Sequence, residues 1–153
     1  MQLRRADVHD ISTIAELFRA SFGSIGFPPM LHTATEDRDF FGGLVTERET
    51  WVAEARGELL GFAVLGEDVL EHLYVRPDAQ GRGVGRELLR HAQERRPGGF
   101  TFWVFQRNER ARRFYERHGC VLVRTTDGSG NEEREPDALY EWRPRTTSSR
   151  TVA

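Results

Sequence analysis

Glycines at positions 81, 83 and 85 alternate with other residues immediately before a helix-like stretch. A strand-like run at residues 69–75 and a Pro-Asp turn precede them. A strand, a glycine-rich turn and a helix start, in that order, expose backbone N–H groups at the positive end of a helix dipole. The pattern predicts a phosphate site, and the next question is which phosphate it binds.

Two familiar phosphate-binding loops do not fit these residues. A dinucleotide loop of the form G-x-G-x-x-G fails because Arg86 follows Gly85, and no acidic residue follows at the expected place. A nucleotide triphosphate loop ends in Gly-Lys-Ser or Gly-Lys-Thr, and this chain contains no Lys. What remains is the segment 80–85, whose three glycines would cost conformational entropy that an ordinary turn does not need.

Two segments of the chain match a known family. Residues 73–85 read L-Y-V-x-P-x-x-Q-G-x-G-x-G, and residues 108–119 read N-x-x-A-x-x-F-Y-E-x-x-G. Together they resemble the GCN5-related N-acetyltransferase (GNAT) superfamily over roughly residues 50–142. Two matched segments at the right separation are far more specific than either alone. The resemblance implies that the chain binds acetyl-coenzyme A and transfers its acetyl group to an amine.

The resemblance also implies which residues contact the coenzyme. In the family, backbone amides of the glycine loop bind the pyrophosphate. The strand before the loop splays away from the next strand, and its free amides bind the pantetheine and the thioester carbonyl. Asn108 is expected to cap its helix and to touch the pantetheine arm. The residues expected to bind the coenzyme are Leu73, Tyr74, Val75, Gln80, Gly81, Arg82, Gly83, Val84, Gly85, Arg86, Asn108, Ala111, Phe114 and Tyr115.

Acetyl transfer to an amine needs a proton donor for the departing sulfur and a proton acceptor for the entering ammonium. The family places the equivalent of Tyr115 beside the sulfur, so Tyr115 is the expected acid. Side-chain alternation along a strand puts Glu71 on the face of Val69 and Leu73, the face that family members tend to use for a base, and Glu71 is therefore favoured. His72 points to the opposite face, and the choice among Glu71, His72 and a water chain stays open.

Segments outside the two motifs are expected to select the acceptor. Residues 23–35 are aromatic but aperiodic, and Phe27 is expected to contact the substrate there. Residues 131–137 read N-E-E-R-E-P-D, and Glu132, Glu133 and Asp137 are expected to attract a cationic amine, although such charge runs are usually solvated. The predicted acceptor is a primary amine of a small molecule or a peptide. A non-catalytic acyl-coenzyme A-binding or sensor domain is the alternative, because the motifs specify the coenzyme better than they specify catalysis.

Hydrophobic periodicity predicts the strands and helices that must position these residues. It predicts strands at residues 3–5, 50–55, 59–65, 69–75, 100–105, 120–125 and 138–142, and helices at 11–22, 36–45, 83–96 and 108–118. With the family resemblance, this indicates an α/β (α+β) GNAT fold. Its central sheet is expected to be mostly antiparallel, with six to seven strands splayed between the fourth and the fifth, and helices on both sides. A single domain is expected over residues 1–143, followed by a disordered tail at 144–153.

Composition limits the kinds of binding partner and the cellular location that we expect. A formal net charge of -2 over 153 residues argues against a nucleic-acid partner or a membrane surface. No run approaches the ~18 apolar residues of a membrane span, and no apolar leader is seen. The single Cys120 cannot form an internal disulfide or a metal cluster, so a cytoplasmic protein without a metal is predicted. Domains of this family often pair, which leaves a homodimer open.

Overall fold

A computed structural model describes residues 1–145 of the chain. In chain order its strands and α-helices are β1 (Gln2–Arg5), α1 (Ile11–Ile25), α2 (Ala34–Glu47), β2 (Glu49–Ala55), β3 (Glu58–Leu65), β4 (Leu70–Val75), α3 (Val84–Arg95), β5 (Phe100–Phe105), α4 (Glu109–Arg117), β6 (Val121–Thr126) and β7 (Asp137–Trp142). Every element predicted from the sequence is present, with its ends shifted by a few residues. Of the predicted tail, residues 146–153 lie outside the described range.

The strands form two half-sheets that meet at one point. One half-sheet has the order β1-β2-β3-β4 and the other β5-β7-β6, with antiparallel pairing throughout. A parallel bridge between Val69 and Thr101 joins them, and the Thr101 amide donates a 3.1 Å hydrogen bond to the Asp68 carbonyl. Past this bridge β4 and β5 belong to different sheets, which confirms the predicted splay between the fourth and fifth strands.

Capping residues set the starts of the first two helices. Asp7 and Asp10 form a reciprocal capping box before the short helical turn that leads into α1, with Asp at the position where Glu or Gln is usual. Thr33 and Glu36 form the corresponding box at α2, with hydrogen bonds of 3.1 and 2.8 Å. Gly26, at a φ of +97°, ends α1 in the left-handed conformation that glycine adopts without strain.

Helices cover both faces of the sheet, as the fold class predicts. The layer of α1 and α2 buries Ile14, Leu17 and Phe41 against Val52, Phe62 and Val64. On the opposite face, α3 buries Val84, Leu88, Leu89 and Ala92, and α4 adds Tyr115. Phe40 of α2 is not buried in this layer, since it is 53% exposed. Its ring instead lies 5.8 Å from the ring of His72, at the margin of the gap between the half-sheets.

Glycine 61 brings α3 unusually close to the sheet. A Cβ at this position would lie 2.9 Å from the Tyr74 carbonyl oxygen and 3.0 Å from Leu88 Cδ1. Real Cβ atoms do not tolerate such distances to backbone, so only glycine permits this contact between β3, β4 and α3. The contact fixes the end of β4 relative to the helix that follows the glycine loop.

The α-helices described here are too short or too polar to pass through a lipid bilayer.

Candidate active site

The gap between β4 and β5 opens into a cavity of about 1040 Å³. Its walls come from α1, the start of α2, β4, β5, the first turns of α4 and the loop between β6 and β7. Five of the residues predicted to bind the coenzyme line it: Leu73, Tyr74, Asn108, Ala111 and Tyr115. Val75, residues 80–86 and Phe114 are outside this lining, because they belong to the neighbouring glycine loop and the surface that it packs against.

The glycine loop presents a row of unpaired amides. Gly81 and Gly83 adopt φ values of +79° and +88°, which favour glycine, and Gly83 caps α3 without a side-chain hydrogen bond. Within residues 1–145, the backbone N–H groups of residues 81–86 donate to no protein acceptor. Unpaired amides at the positive end of a twelve-residue helix are suited to a pyrophosphate, so these residues fit coenzyme A.

Two further contacts hold this loop in place. The Gln80 side chain donates a 3.2 Å hydrogen bond to the carbonyl of Val75, which ties the loop to the end of β4. A Cβ at Gly85 would lie 3.3 Å from the Phe114 ring, so the start of α3 approaches α4 closely. Gln80 and Phe114 therefore support the loop from behind. The exposed Arg82 and Arg86 flank the same amides.

Strand β4 contains an irregularity at Glu71. Val64 pairs with His72 and Leu65 pairs with Leu70, so Glu71 is an extra residue without a partner on β3. Strict alternation does not continue through such a bulge, so the argument that placed Glu71 on the face of Leu73 does not apply here, and the role of Glu71 stays a prediction. The Glu71 carboxylate lines the cavity, and its Oε2 accepts a 3.0 Å hydrogen bond from Arg48 Nε.

Tyr115 is positioned by aromatic packing. Its ring centroid lies 4.3 Å from that of Phe102 and 5.1 Å from that of Phe114. Burial, with a smaller contribution from the neighbouring Tyr74, raises the pKa of the Tyr115 hydroxyl above its usual value. The hydroxyl therefore keeps its proton at neutral pH, and within residues 1–145 it forms no hydrogen bond. Cys120, buried at 4% exposure, has a pKa raised to about 12 by burial and is part of the core.

An aromatic cluster around His72 was not anticipated. The His72 ring lies 5.3 Å from Phe41, 6.1 Å from Tyr74 and 6.4 Å from Phe18, between α1, α2 and β4. Burial lowers the pKa of His72 to about 4, so the imidazole is neutral at neutral pH. The contact of these rings with His72 depends on the bulge at Glu71, for which the sequence gives no clear signal.

The loop between β6 and β7 is folded on itself. A Cβ at Gly128 would collide with the backbone of Glu135, so the loop closes only with glycine there. Asn131 Nδ2 donates to the Glu135 carbonyl at 2.8 Å and to Asp137 Oδ2 at 3.1 Å. Arg107 forms a two-pronged ion pair with Glu135, at 2.8 and 2.9 Å. The segment that composition describes as an acidic run is therefore an ordered loop.

The structure places three of the four residues predicted to bind the substrate in the cavity lining and leaves Phe27 outside it. Glu132 reaches across the cavity mouth to His32, 3.1 Å away, and the ion pair raises the His32 pKa. Glu133 and Asp137 also line the cavity, and Asp137 accepts hydrogen bonds from Asn131 and Thr126. Phe27 lies outside the lining, because its ring packs under the Arg107 guanidinium, 4.2 Å from its centroid.

Comparison with known proteins agrees with this fold. A family model for an acetyltransferase (GNAT) domain matches residues 46–119. An uncharacterized N-acetyltransferase from Archaeoglobus fulgidus is 30% identical over 152 residues, covering 86% of this chain and 100% of that protein. The peptidyl-lysine N-acetyltransferase YiaC from Escherichia coli is 37% identical over 76 residues, covering 49% of this chain and 51% of that protein. The PaiA N-acetyltransferase from Thermoplasma acidophilum, solved in complex with coenzyme A, has a TM-score of 0.75 at 17% identity, over 93% of this chain and 98% of that one.

The chain therefore belongs to the GNAT family of acetyltransferases. The match to the archaeal relative carries this conclusion, since it extends over the whole of that protein. The chain spans about half the length of YiaC, and the PaiA comparison concerns the fold.

Proposed function

We propose that the protein transfers an acetyl group from acetyl-coenzyme A to a primary amine, by direct attack in a ternary complex. The observation that carries the proposal is the arrangement around the splay: unpaired amides of residues 81–86 stand beside a cavity that contains a buried tyrosine and several carboxylates. Acetyl-coenzyme A, when bound, supplies an acetyl thioester that is already activated towards amines.

The coenzyme-binding residues are proposed to act as three groups. The amides of residues 81–86, with Arg82 and Arg86, would bind the pyrophosphate. The amides near Leu73, Tyr74 and Val75 on the open side of β4 would bind the pantetheine and polarise the thioester carbonyl. Asn108, whose side chain accepts a 3.2 Å hydrogen bond from the Ala111 amide, would contact the pantetheine arm together with Ala111 and Phe114.

Tyr115 is the proposed acid for the departing sulfur. It lines the cavity and keeps its proton at neutral pH, which are the two properties that this role needs. Glu71 is the base predicted from the sequence. In this role it would have to accept the amine proton while one of its oxygens is held by Arg48. His72 would act only as a neutral imidazole, since it lies among aromatic rings with a pKa of about 4.

A peptide lysine is the acceptor that the comparisons favour, and a small-molecule amine is the second candidate. The relative YiaC is named a peptidyl-lysine N-acetyltransferase. The cavity lining includes the aromatic side chains of Phe18, Trp103 and Phe105, against which an alkyl chain could pack, and it also includes carboxylates of the β6–β7 loop. The alternative, a non-catalytic acyl-coenzyme A-binding domain, would use the same loop but would release no thiol.

Two measurements test the proposal. Release of coenzyme A thiol, followed with a panel of lysine peptides and small amines, should depend on the amine. Calorimetry should show acetyl-coenzyme A binding to the wild type and none to Gly83→Glu or Gly85→Glu, whose carboxylates would repel the pyrophosphate. Binding that survives both substitutions would refute the coenzyme site, and binding without thiol release for any amine would favour the non-catalytic alternative.

A homodimer and a cytoplasmic location stay predictions. In support of pairing, the edge strand β6 exposes three consecutive apolar residues, Val121, Leu122 and Val123, at 61%, 40% and 48%. An exposed apolar sheet edge is a common place for a second chain to associate. Sedimentation of the wild type and of Val121→Lys at several concentrations would decide whether the chain pairs there.

A further inference from the structure

We infer that Glu133, in the loop between β6 and β7, is the catalytic residue that takes the proton from the acceptor ammonium. This inference rests on the proposed acetyltransferase function and names a residue for the step that the sequence left open.

The first argument is that the other carboxylates of the cavity are engaged. Glu71 is paired with Arg48, Glu132 with His32, and Asp37 with Arg19 at 2.6 Å. Glu36 accepts the Thr33 amide in a capping box, and Asp137 accepts from Asn131 and Thr126. Over the described part of the chain, the Glu133 side chain forms no ion pair and no hydrogen bond, although it is half-buried in the cavity wall. Among the carboxylates that line the cavity, it is the one without a partner in the described part of the chain.

The second argument is the position of Glu133. The loop that carries it is closed by Gly128, pinned by Asn131 and anchored through the Glu135–Arg107 ion pair, so the side chain is presented from a fixed backbone. It lines the same cavity as Tyr74 and Tyr115. Burial raises the pKa of Tyr74, and the charge of Glu133 adds to that effect. Glu133 therefore shares one cavity with Tyr115, the proposed acid of the same reaction.

The proton balance of the step is complete with these residues. The Glu133 carboxylate, directly or through one water, accepts a proton from the acceptor ammonium, and the freed lone pair on nitrogen forms the new C–N bond as the C–S bond breaks. The Tyr115 hydroxyl gives its proton to the departing sulfur and is reprotonated by the second amine proton. The proton on Glu133 then passes to water, so the net products are an amide, a thiol and one proton.

The test compares Glu133→Gln with the wild type on a lysine peptide. Because an alkyl ammonium has a pKa of about 10.4, removal of the base should lower kcat by about 100-fold or more near pH 7. Near pH 10 much of the amine is already neutral, and the deficit in kcat should shrink at least tenfold. If Glu133 only attracted the cationic amine, KM would rise and kcat would stay within about twofold of the wild type, which would overturn the inference.

Further readouts separate this inference from the proposed function and from misfolding. Glu133→Gln should bind acetyl-coenzyme A with wild-type affinity by calorimetry and should unfold at the wild-type temperature or higher, since it removes an unpaired, half-buried charge. Glu94→Gln, on the exposed side of α3, is the matched control and should keep wild-type kcat. A wild type that releases no thiol with any amine would refute the proposed function. An active wild type with an equally active Glu133→Gln variant would refute the inference alone.

Discussion

The Nε of Arg48 lies 3.0 Å from Oε2 of Glu71, and this ion pair joins the end of α2 to the bulge of β4. The Arg48 side chain is 44% exposed and the Glu71 side chain is 28% exposed, so the pair lies at the cavity wall near solvent. The Glu71 oxygen that contacts Arg48 is less accessible to an incoming amine than an oxygen without a partner. The pair therefore gives Glu71 a structural setting that differs from that of Glu133.

The first prediction concerns this pair. Glu71→Gln should lower kcat by less than about tenfold, because the residue that accepts the amine proton lies elsewhere, while Glu133→Gln should cost about 100-fold or more. Arg48→Met should lower the free energy of unfolding by less than about 1 kcal/mol, as expected for an exposed ion pair. Steady-state kinetics and urea titration measure the two effects. A loss at Glu71→Gln as large as that at Glu133→Gln would reinstate Glu71 as the base.

The second prediction concerns Tyr115. Tyr115→Phe removes only the hydroxyl, so the packing against Phe102 and Phe114 should be kept. We expect kcat to fall by about tenfold to 100-fold, a modest loss because a thiolate is already a fair leaving group, with the affinity for acetyl-coenzyme A unchanged. Tyr140→Phe is a control at another buried tyrosine, whose hydroxyl accepts from Arg112 and donates to Glu116. An equal loss of kcat in both variants would indicate a packing effect.

The third prediction concerns the close approach at Gly61. Gly61→Ala places a methyl group 2.9 Å from the Tyr74 carbonyl, so the strand or the helix must move, at a cost of about 1–3 kcal/mol in the free energy of unfolding. Gly43→Ala is the matched control: it lies in α2 with nothing within 4 Å of the new methyl, and it should stabilise by up to about 1 kcal/mol. Urea denaturation measures both. Equal stability of the two variants would contradict the packing described here.

The fourth prediction concerns His72 and pH. Its pKa is about 4 in the folded protein, because of burial, and about 6.5 in the unfolded chain. Above pH of about 6.5 both states are neutral and the protein has its full stability. As the pH falls towards about 4, the unfolded chain takes up the proton first, so the free energy of unfolding declines, by roughly 3 kcal/mol over this range.

This pH effect is measured by urea unfolding between pH of about 4 and about 7. His72→Phe, an aromatic replacement among Phe18, Phe40 and Phe41, should remove most of the decline, and His9→Gln, at an exposed position, should leave it unchanged. A decline that is the same in wild type and His72→Phe would show that this imidazole is not the group responsible.

Periodicity and motif spacing were enough to predict the elements and the glycine loop, because each depends on local chemistry: alternation, capping residues and glycines with positive φ. The splay was predicted only from the resemblance to the family. What they did not reveal depends on contacts between distant segments. The bulge at Glu71 arises from pairing between β3 and β4, and it invalidated the alternation argument. Likewise, Glu132 and Glu133 are adjacent in sequence, yet His32, a hundred residues away, engages only one of them.

The single bridge between Val69 and Thr101 also has a consequence for hydrogen exchange. Past it, β4 and β5 each have one edge whose backbone N–H and C=O groups pair with no neighbouring strand. In most proteins the strands inside a sheet are hydrogen-bonded on both sides. These amides should exchange with deuterium faster than those of β3, which is paired on both sides. A ligand that occupies the gap would accept hydrogen bonds from these amides. Slower deuterium exchange of the β4 and β5 amides would therefore detect its binding without any turnover.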